Sequence, residues 1–302
     1  MKTILITGAS GLIGRALCHR LQSHDYSLIC LTRDADKNKH LCSKAVWIDS
    51  LHNIHEDKPI DIVINLAGAP IAKGRWTEKV KAELLSSRIG TTKKLYEFFE
   101  QRPVKPGLII SGSAVGYYGP NGENSINEKS MPVDCFSHQL CDQWEAAAKK
   151  FSALNTTVCL LRLGIVLDRD GGALQSMLPA FRMGLGGLLG SGEQWMSWIH
   201  RRDVVRLIHF CIDNNVEGTV NAVSPNPVTN REFSKALAKA ISRPSLLRTP
   251  AWVMQLLFGE MAKELLLSGQ KVLPEKLQKI GFEFNYAILD QAFGAIFAKK
   301  NK

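Results

Sequence analysis

An α/β fold built on a doubly wound parallel sheet is predicted by three observations in this 302-residue chain. Short apolar runs alternate with stretches whose apolar residues recur at helical spacing, the pattern of repeated strand–helix–strand units. The first run, Thr3 to Ile6, enters a turn with three glycines at three-residue spacing, Gly8, Gly11 and Gly14. The composition, 45% hydrophobic and 22% charged, is that of a chain with an ordinary packed interior.

The first unit carries most of the chemistry. Ile13, Ala16, Leu17 and Leu21 fall on one face of a helix, with Arg15, Arg20 and Gln22 opposite. In a strand–turn–helix unit of this kind Gly8 permits the tight turn. Gly11 lets the backbone approach a pyrophosphate, and Gly14 lets helix and strand pack closely. The helix start offers free N–H groups and a positive dipole end to phosphate. Thr7, Gly8, Ser10, Gly11, Leu12, Ile13 and Gly14 are therefore the expected dinucleotide-binding set.

A second strand, Ser27 to Thr32, ends at Arg33, about twenty residues past the turn, where such folds read the adenosine ribose. An arginine there can take a 2′-phosphate through bidentate charge-assisted bonds, which points to NADP(H). Asp34 and Asp36 offer the opposite reading, since either could bend back to a ribose hydroxyl. Val46 to Ile48 is a short third strand. Ile60 to Leu66 is a fourth, ending in the small residues Ala67 and Gly68 that leave space for a ligand. One long helix is expected from Thr77, its N-cap, to Gln101. Arg88 interrupts its apolar face, either to reach the cofactor or to lie in solvent.

Leu108 to Ser111 is the fifth strand, running into Gly112-Ser113-Ala114-Val115-Gly116-Tyr117-Tyr118-Gly119. A hydroxyl and two phenols at a strand end suggest polar chemistry in the ligand crevice. A helix from about His138 to Phe151 and a strand from Thr157 to Arg162, followed by Leu163, complete the alternation. Beyond Leu167 the character changes. Gly184 to Gly192 holds five glycines in nine residues, a mobile lid, a close backbone approach to substrate or a plain flexible loop. Trp198 reads as core and His200 as a structural anchor, before a helix from about Asp203 to Asp213. Thr229 and Glu232 form a capping box, and Thr249-Pro250 opens a further helix.

Bulk features narrow the function. Seven cysteines without a CxxC pair suit reduced thiols, and no run reaches the length of a membrane span. The first strand leads straight into the fold, so no signal peptide and a cytoplasmic location are expected. The formal charge of +10 suits an enzyme attracting anionic ligands. Without a helix-turn-helix, zinc spacing or aromatic-basic stripe, neither nucleic acid nor metal is an expected partner. The tail Lys299-Lys300-Asn301-Lys302 is expected to be a solvated end.

Together these residues resemble an extended short-chain dehydrogenase/reductase: Thr7-Gly8-Ala9-Ser10-Gly11-Leu12-Ile13-Gly14, Asn65-Leu66-Ala67-Gly68, Ser111-Gly112-Ser113 and Arg162-Leu163-Gly164-Ile165-Val166-Leu167. The chain is more closely similar to the atypical subgroup labelled epimerase family proteins or nucleoside-diphosphate-sugar epimerases. Gly68-Ala69-Pro70-Ile71 with Arg75-Trp76, Ser111 to Gly119, Gly184 to Gly192, and Trp198-Ile199-His200 with Asp203 carry that likeness. It implies a Rossmann-type NADP(H)-binding domain over 1–167, with a segment around 195–225 returning to it, and a smaller C-terminal α/β substrate domain over most of 168–302. The expected cofactor contacts extend to Arg33, Leu66, Ala67, Gly68, Arg88, Gly112 and Leu163.

The wider family carries Tyr-x-x-x-Lys, a general acid/base whose phenol the lysine tunes. Counting back from Glu145 places Ser137 and Cys141 at those positions. Ser113 matches the family's catalytic serine/threonine, with Tyr117, Tyr118 or His138 as substitute proton donors, Tyr117 first and His138 second. Two readings follow: an NADP(H)-dependent oxidoreductase or epimerase acting on a carbonyl or nucleotide-sugar substrate, or a non-catalytic NADP(H) sensor or scaffold. A homodimer through the helices at Thr77–Gln101 and His138–Phe151 is also expected.

Overall fold

The computed structural model describes residues 1–298, so the lysine-rich tail lies outside the described residues. Seven strands form one parallel sheet: β1 (Lys2–Thr7), β2 (Tyr26–Leu31), β3 (Ala45–Ile48), β4 (Ile62–Asn65), β5 (Leu108–Ala114), β6 (Thr157–Leu163) and β7 (Gly218–Ala222). Their spatial order is β7-β6-β5-β4-β1-β2-β3. Strand order therefore reverses between β1 and β4, and ligands of open parallel sheets bind outside the carboxyl ends at such a reversal.

Both sheet faces are buried, as parallel sheets require. Side chains alternate along β1, so Ile4 and Ile6 face α1 (Leu12–Leu21), whose Leu17 and Leu21 meet them in one core. Leu5 lies in the opposite core with Val63, Leu95, Phe99, Ile109 and Phe151. That second face is covered by α3 (Thr91–Gln101) and α4 (Phe136–Lys149), while α6 (Arg201–Asp213) shares the first face with α1.

The expected helix from Thr77 to Gln101 is present without a gap, with one widened turn inside it. The Thr77 side chain caps α2 (Glu78–Leu85) by accepting from the Val80 N–H at 3.3 Å. A π turn, Ser86–Gly90, then precedes α3. Hydroxyls of Ser87, Thr91 and Thr92 bond back to the carbonyls of Leu84, Ser87 and Arg88. Such back-bonding loosens the i to i+4 ladder and favours a widened turn.

A further core joins α5 (Gly172–Arg182), α7 (Asn230–Ala240) and α10 (Leu289–Phe297) around Leu178, Trp198, Phe233 and Phe293. Trp198 is fully buried and its Nε1 donates to the Asn226 carbonyl. The capping box at α7 is present, with Thr229 and Glu232 bonded reciprocally. Short strand pairs link this part to the large sheet's connections: Trp198–His200 runs parallel to Ile165–Leu167, and Lys271–Val272 runs parallel to Ser125–Ile126. Helices α8 (Ala251–Phe258) and α9 (Glu260–Leu265) reach back over α2 and the start of α4, where Trp76, Leu84, Leu140 and Met261 cluster. Arg75 donates to the carbonyls of Leu256 and Leu257, and Lys81 pairs with Glu260 at 2.6 Å. No helix among the described residues is long and apolar enough to cross a membrane.

Candidate functional site

Gly8 has φ +69°, and a Cβ there would meet the Leu66 carbonyl oxygen at 2.6 Å. A Cβ on Gly14 would lie 2.6 Å from Ala9 Cα, so only glycine lets α1 start this close to the turn. Gly11 is the N-cap of α1; no side chain caps the helix and no acidic residue occupies its first turn. The first-turn amides and the positive dipole end are thus left for an anion. Leu12 packs under Gly171, where a Cβ would approach its Cδ1 to 2.7 Å, and Ile13 joins the α1 core. Ser10 is exposed beside the turn. These features fit the pyrophosphate of a dinucleotide.

Thr7 sits differently from a ligand-facing hydroxyl. It is buried; its Oγ1 donates to Asn65 Oδ1 at 2.7 Å and accepts from the Ala67 N–H at 3.2 Å. Asn65 Nδ2 in turn donates to Thr92 Oγ1 at 2.8 Å. This chain of bonds fixes the β4 end, and with it Leu66, Ala67 and Gly68, against β1 and α3.

At the β2 end Arg33 is exposed and has no partner among the described residues. Asp34 is engaged as a helix cap, its Oδ1 accepting from the Lys37 N–H at 3.0 Å, and Asp36 pairs with Lys39 at 3.2 Å. Arg33 is the uncommitted side chain of the three.

Between β4 and α4 lies Arg88, in the π turn. Its Nη2 donates to the Ala69 carbonyl at 2.9 Å and its Nη1 to the Leu84 carbonyl at 3.2 Å. Its guanidinium also lies over Trp144, 5.3 Å from the ring centre. Gly68 and Gly112 make room here: a Cβ would come within 3.0 Å of Arg88 Cζ at Gly68 and of the Trp144 ring at Gly112. Leu163 ends β6 on the same carboxyl edge.

Beside β5 the polar groups form a closed network. Ser113 is 2% exposed and its Oγ donates to Glu145 Oε1 at 2.8 Å. Glu145, fully buried, takes Arg162 in a two-point pair at 2.7 and 2.9 Å. Burial opposes the Arg162 charge, but the bonds to Glu145 outweigh it and push the guanidinium pKa up. Arg162 also stacks on Tyr117, 3.3 Å from its ring centre. His138 Nδ1 donates to the Tyr117 carbonyl at 2.7 Å and its ring meets the phenol edge-on at 5.1 Å. His138 Nε2 and the Tyr117 hydroxyl are left without partners among the described residues. Tyr118, by contrast, is buried and donates to Asn221 Oδ1 at 2.6 Å.

Ser137 and Cys141, which stand where the Tyr-x-x-x-Lys pair would, are both buried. Ser137 Oγ donates to Glu264 Oε2 at 2.6 Å, and the N–H groups of Phe136 and Ser137 bond the same carboxylate. Cys141 is buried, and burial, helped by Glu145, pushes its thiol up to about 12. It is neutral at ordinary pH.

Residues 4–223 match the NAD dependent epimerase/dehydratase family. The chain belongs to that family. Residues 249–296 match a second family, a domain of unknown function (DUF1731). An epimerase family protein of Staphylococcus aureus is 39% identical over 303 residues, covering 99% of this chain and all of that protein. Among solved structures, the human epimerase family protein SDR39U1 (isoform 2) with NADPH is 31% identical with a TM-score of 0.88, covering 98% of this chain and 99% of that one. A nucleoside-diphosphate sugar epimerase of Corynebacterium glutamicum is 29% identical with a TM-score of 0.78; the match covers 98% of this chain but 58% of that longer one. As a member of the epimerase/dehydratase family, the chain has the Rossmann-type sheet that its glycine turn announces.

Several residues that shape this site carry no local signal. Glu264 lies 127 positions from the hydroxyl it binds, and Asn65 and Thr92 meet only because β4 and α3 pack. Glu145 is visible as an acidic residue on α4, but its pairing with Arg162 depends on the register of helix over sheet.

Proposed function

We propose that the chain binds NADP(H) across the β1–β4 reversal and acts as an oxidoreductase or epimerase on a carbonyl or nucleotide-sugar substrate. The observation that carries this reading is the glycine cradle, in which Gly8 needs its positive φ, Gly14 has no space for a Cβ and the start of α1 is uncapped. The NADPH in the human relative's structure supports the same cofactor. Arg33 would meet the 2′-phosphate, while Leu12 and Ile13 offer amides to the pyrophosphate and the Gly11 N–H closes the turn onto the Gly8 carbonyl at 2.9 Å. The Leu66–Gly68, Gly112 and Leu163 backbone would border the nicotinamide half. When bound, the cofactor supplies or accepts a hydride at a substrate carbon.

The chain's own task is the proton at the substrate oxygen. Tyr117 is the best-placed donor: its phenol is clamped by Arg162 and His138 while its hydroxyl stays uncommitted. His138 comes second, with Nδ1 held by the Tyr117 carbonyl and Nε2 free. Ser113 would polarise a substrate oxygen only by giving up its bond to Glu145. The test is calorimetric titration with NADPH and NADH, then a screen of carbonyl compounds and nucleotide sugars following NADPH absorbance. Turnover that falls in Tyr117→Phe supports the reading; turnover unaffected by both Tyr117→Phe and His138→Gln removes both donors.

One observation favours the second reading, a sensor or scaffold: the tied Ser137 and the neutral, buried Cys141 leave α4 without the family's acid/base pair. Tight NADPH binding with every substrate inert is its signature. A homodimer through α2–α3 and α4 is part of the proposal, and light scattering at micromolar concentration tests it.

A further inference from the structure

We infer that Arg88 supplies, from the π turn before α3, the cation that α4 lacks at Cys141, and that it holds the ribose on the nicotinamide side of the dinucleotide. The inference rests on the NADP(H) reading and specifies one half of that site.

Position comes first. The sheet order puts the β2 end, with Arg33, on the adenosine side of the reversal and the β4 and β5 ends on the other. Arg88 belongs to the second side, because its guanidinium lies so close to Gly68 that a Cβ there would be 3.0 Å from Cζ. The glycine turn and Gly68 are linked through Leu66 and Ala67, which themselves abut Gly8. A dinucleotide whose pyrophosphate rests on α1 therefore extends toward Arg88.

Preorganisation comes second. Two of the five guanidinium N–H donors hold the carbonyls of Ala69 and Leu84, and the plane lies over Trp144. The remaining donors have no protein partner among the described residues, and no carboxylate pairs with Arg88. Burial pushes its pKa down. A largely buried cation without a counter-charge costs stability unless a ligand completes it. Nearby, Trp144 is 6% exposed and its buried Nε1 also has no acceptor. One buried donor, Trp144 Nε1, thus stands unsatisfied on the ring that the Arg88 guanidinium covers, and a ligand oxygen would complete it.

Charge comes third. The pKa of Cys141 is dominated by burial, with Glu145 adding to it, yet the Arg88 cation acts on that thiol in the opposite direction. Arg88 thus projects positive potential to the place where the wider family has its lysine, from a neighbouring helix. A widened helical turn is a recurrent way to bring a side chain to a functional position.

The test separates the two halves of the ligand. NADPH and 2′,5′-ADP, which carries only the adenosine half, are titrated calorimetrically into the wild type, Arg88→Met, and Arg88→Met with Cys141→Lys. Arg88→Met is expected to weaken NADPH about tenfold, the scale of a lost charge-assisted bond, and to leave 2′,5′-ADP unchanged. The lysine at 141 is expected to recover part of that loss. Unchanged NADPH affinity in Arg88→Met, or equal losses for both ligands, overturns the assignment. If Arg88→Met melts early, Arg88→Gln, which keeps a donor for the Ala69 carbonyl, is read in the same way. A wild type that binds 2′,5′-ADP but shows no gain from the nicotinamide half also overturns it. A wild type that binds neither ligand overturns the NADP(H) reading itself.

Discussion

Replacing His200 by Asn should flatten the acid side of the stability profile. His200 is 4% exposed and caps α6, its Nδ1 accepting from the Arg202 N–H at 3.1 Å. The acceptor role requires a neutral ring with its proton on Nε2. Burial pushes the pKa down to about 4; Asp203 opposes this, and Arg202 and Arg201 assist it. Because the folded pKa lies below the unfolded value near 6.5, the unfolded chain binds more protons throughout the interval between them. Stability from this residue is therefore complete above pH 6.5 and is lost as pH falls toward 4. At about 1.4 kcal/mol per pH unit, that interval amounts to about 3 kcal/mol. Asn keeps an oxygen for the cap but does not titrate. It gives up the ring packing on Tyr286, whose centroid is 3.9 Å away, which adds an offset independent of pH. Urea unfolding of both proteins from about pH 7.5 to about pH 4 measures the difference. The wild type should lose about 3 kcal/mol more than His200→Asn over that range. Parallel curves for the two proteins would refute the assignment of a buried neutral histidine.

Three further outcomes are expected. Glu145→Gln leaves Arg162 without its counter-charge in a dry interface and should cost about 3–5 kcal/mol in urea unfolding; Glu145→Leu with Arg162→Met should cost less than either single change, and full additivity would contradict a coupled pair. Gly14→Ala forces a Cβ against the Ala9 backbone and should lower the melting temperature while abolishing calorimetric NADPH binding; a mutant that binds normally would show that α1 can shift away from the turn. Arg33→Ala should weaken NADPH by about 1.5–3 kcal/mol and leave NADH unchanged, and equal wild-type affinities for the two cofactors would remove Arg33 from the site.

What could be read from the chain in advance was what is encoded within a few residues. The turn at Gly8 depends on the conformation of Gly8 itself, and the caps at Thr77 and Thr229 depend on a hydroxyl and an amide three residues on. The π turn between α2 and α3 was not legible, because apolar spacing over Val80, Leu84, Leu95 and Phe99 tolerates one widened turn inside a continuous helix. The hydroxyls of Ser87 and Thr91 that produce it are individually ordinary. Ser113 was readable as a strand-end hydroxyl, but not the direction in which it points. Its partner Glu145 is 32 positions away and is set by how α4 lies on the sheet. Arg88 stood out as a charge on an apolar face, and only the packing of Gly68 and Trp144 around it shows where that charge goes.

The capping of α4 by Glu264 has a consequence for the order of events during synthesis. Chains leave the ribosome N-terminus first, and sheet units begin to assemble as they emerge. The first turn of α4, however, has its amides at Phe136 and Ser137 closed by a carboxylate made 127 residues after Ser137. Until α9 has emerged and docked, that turn must rely on water, and a helix end so served frays. His138, one residue on, shares the turn and holds the Tyr117 carbonyl. The nascent protein can therefore complete its nucleotide cradle early, since every glycine of that turn lies in the first strand–helix unit. The helix start that carries His138 gains its carboxylate cap only when Glu264 is in place. A translation product arrested before Glu264 would hold a formed cradle beside an unfinished crevice.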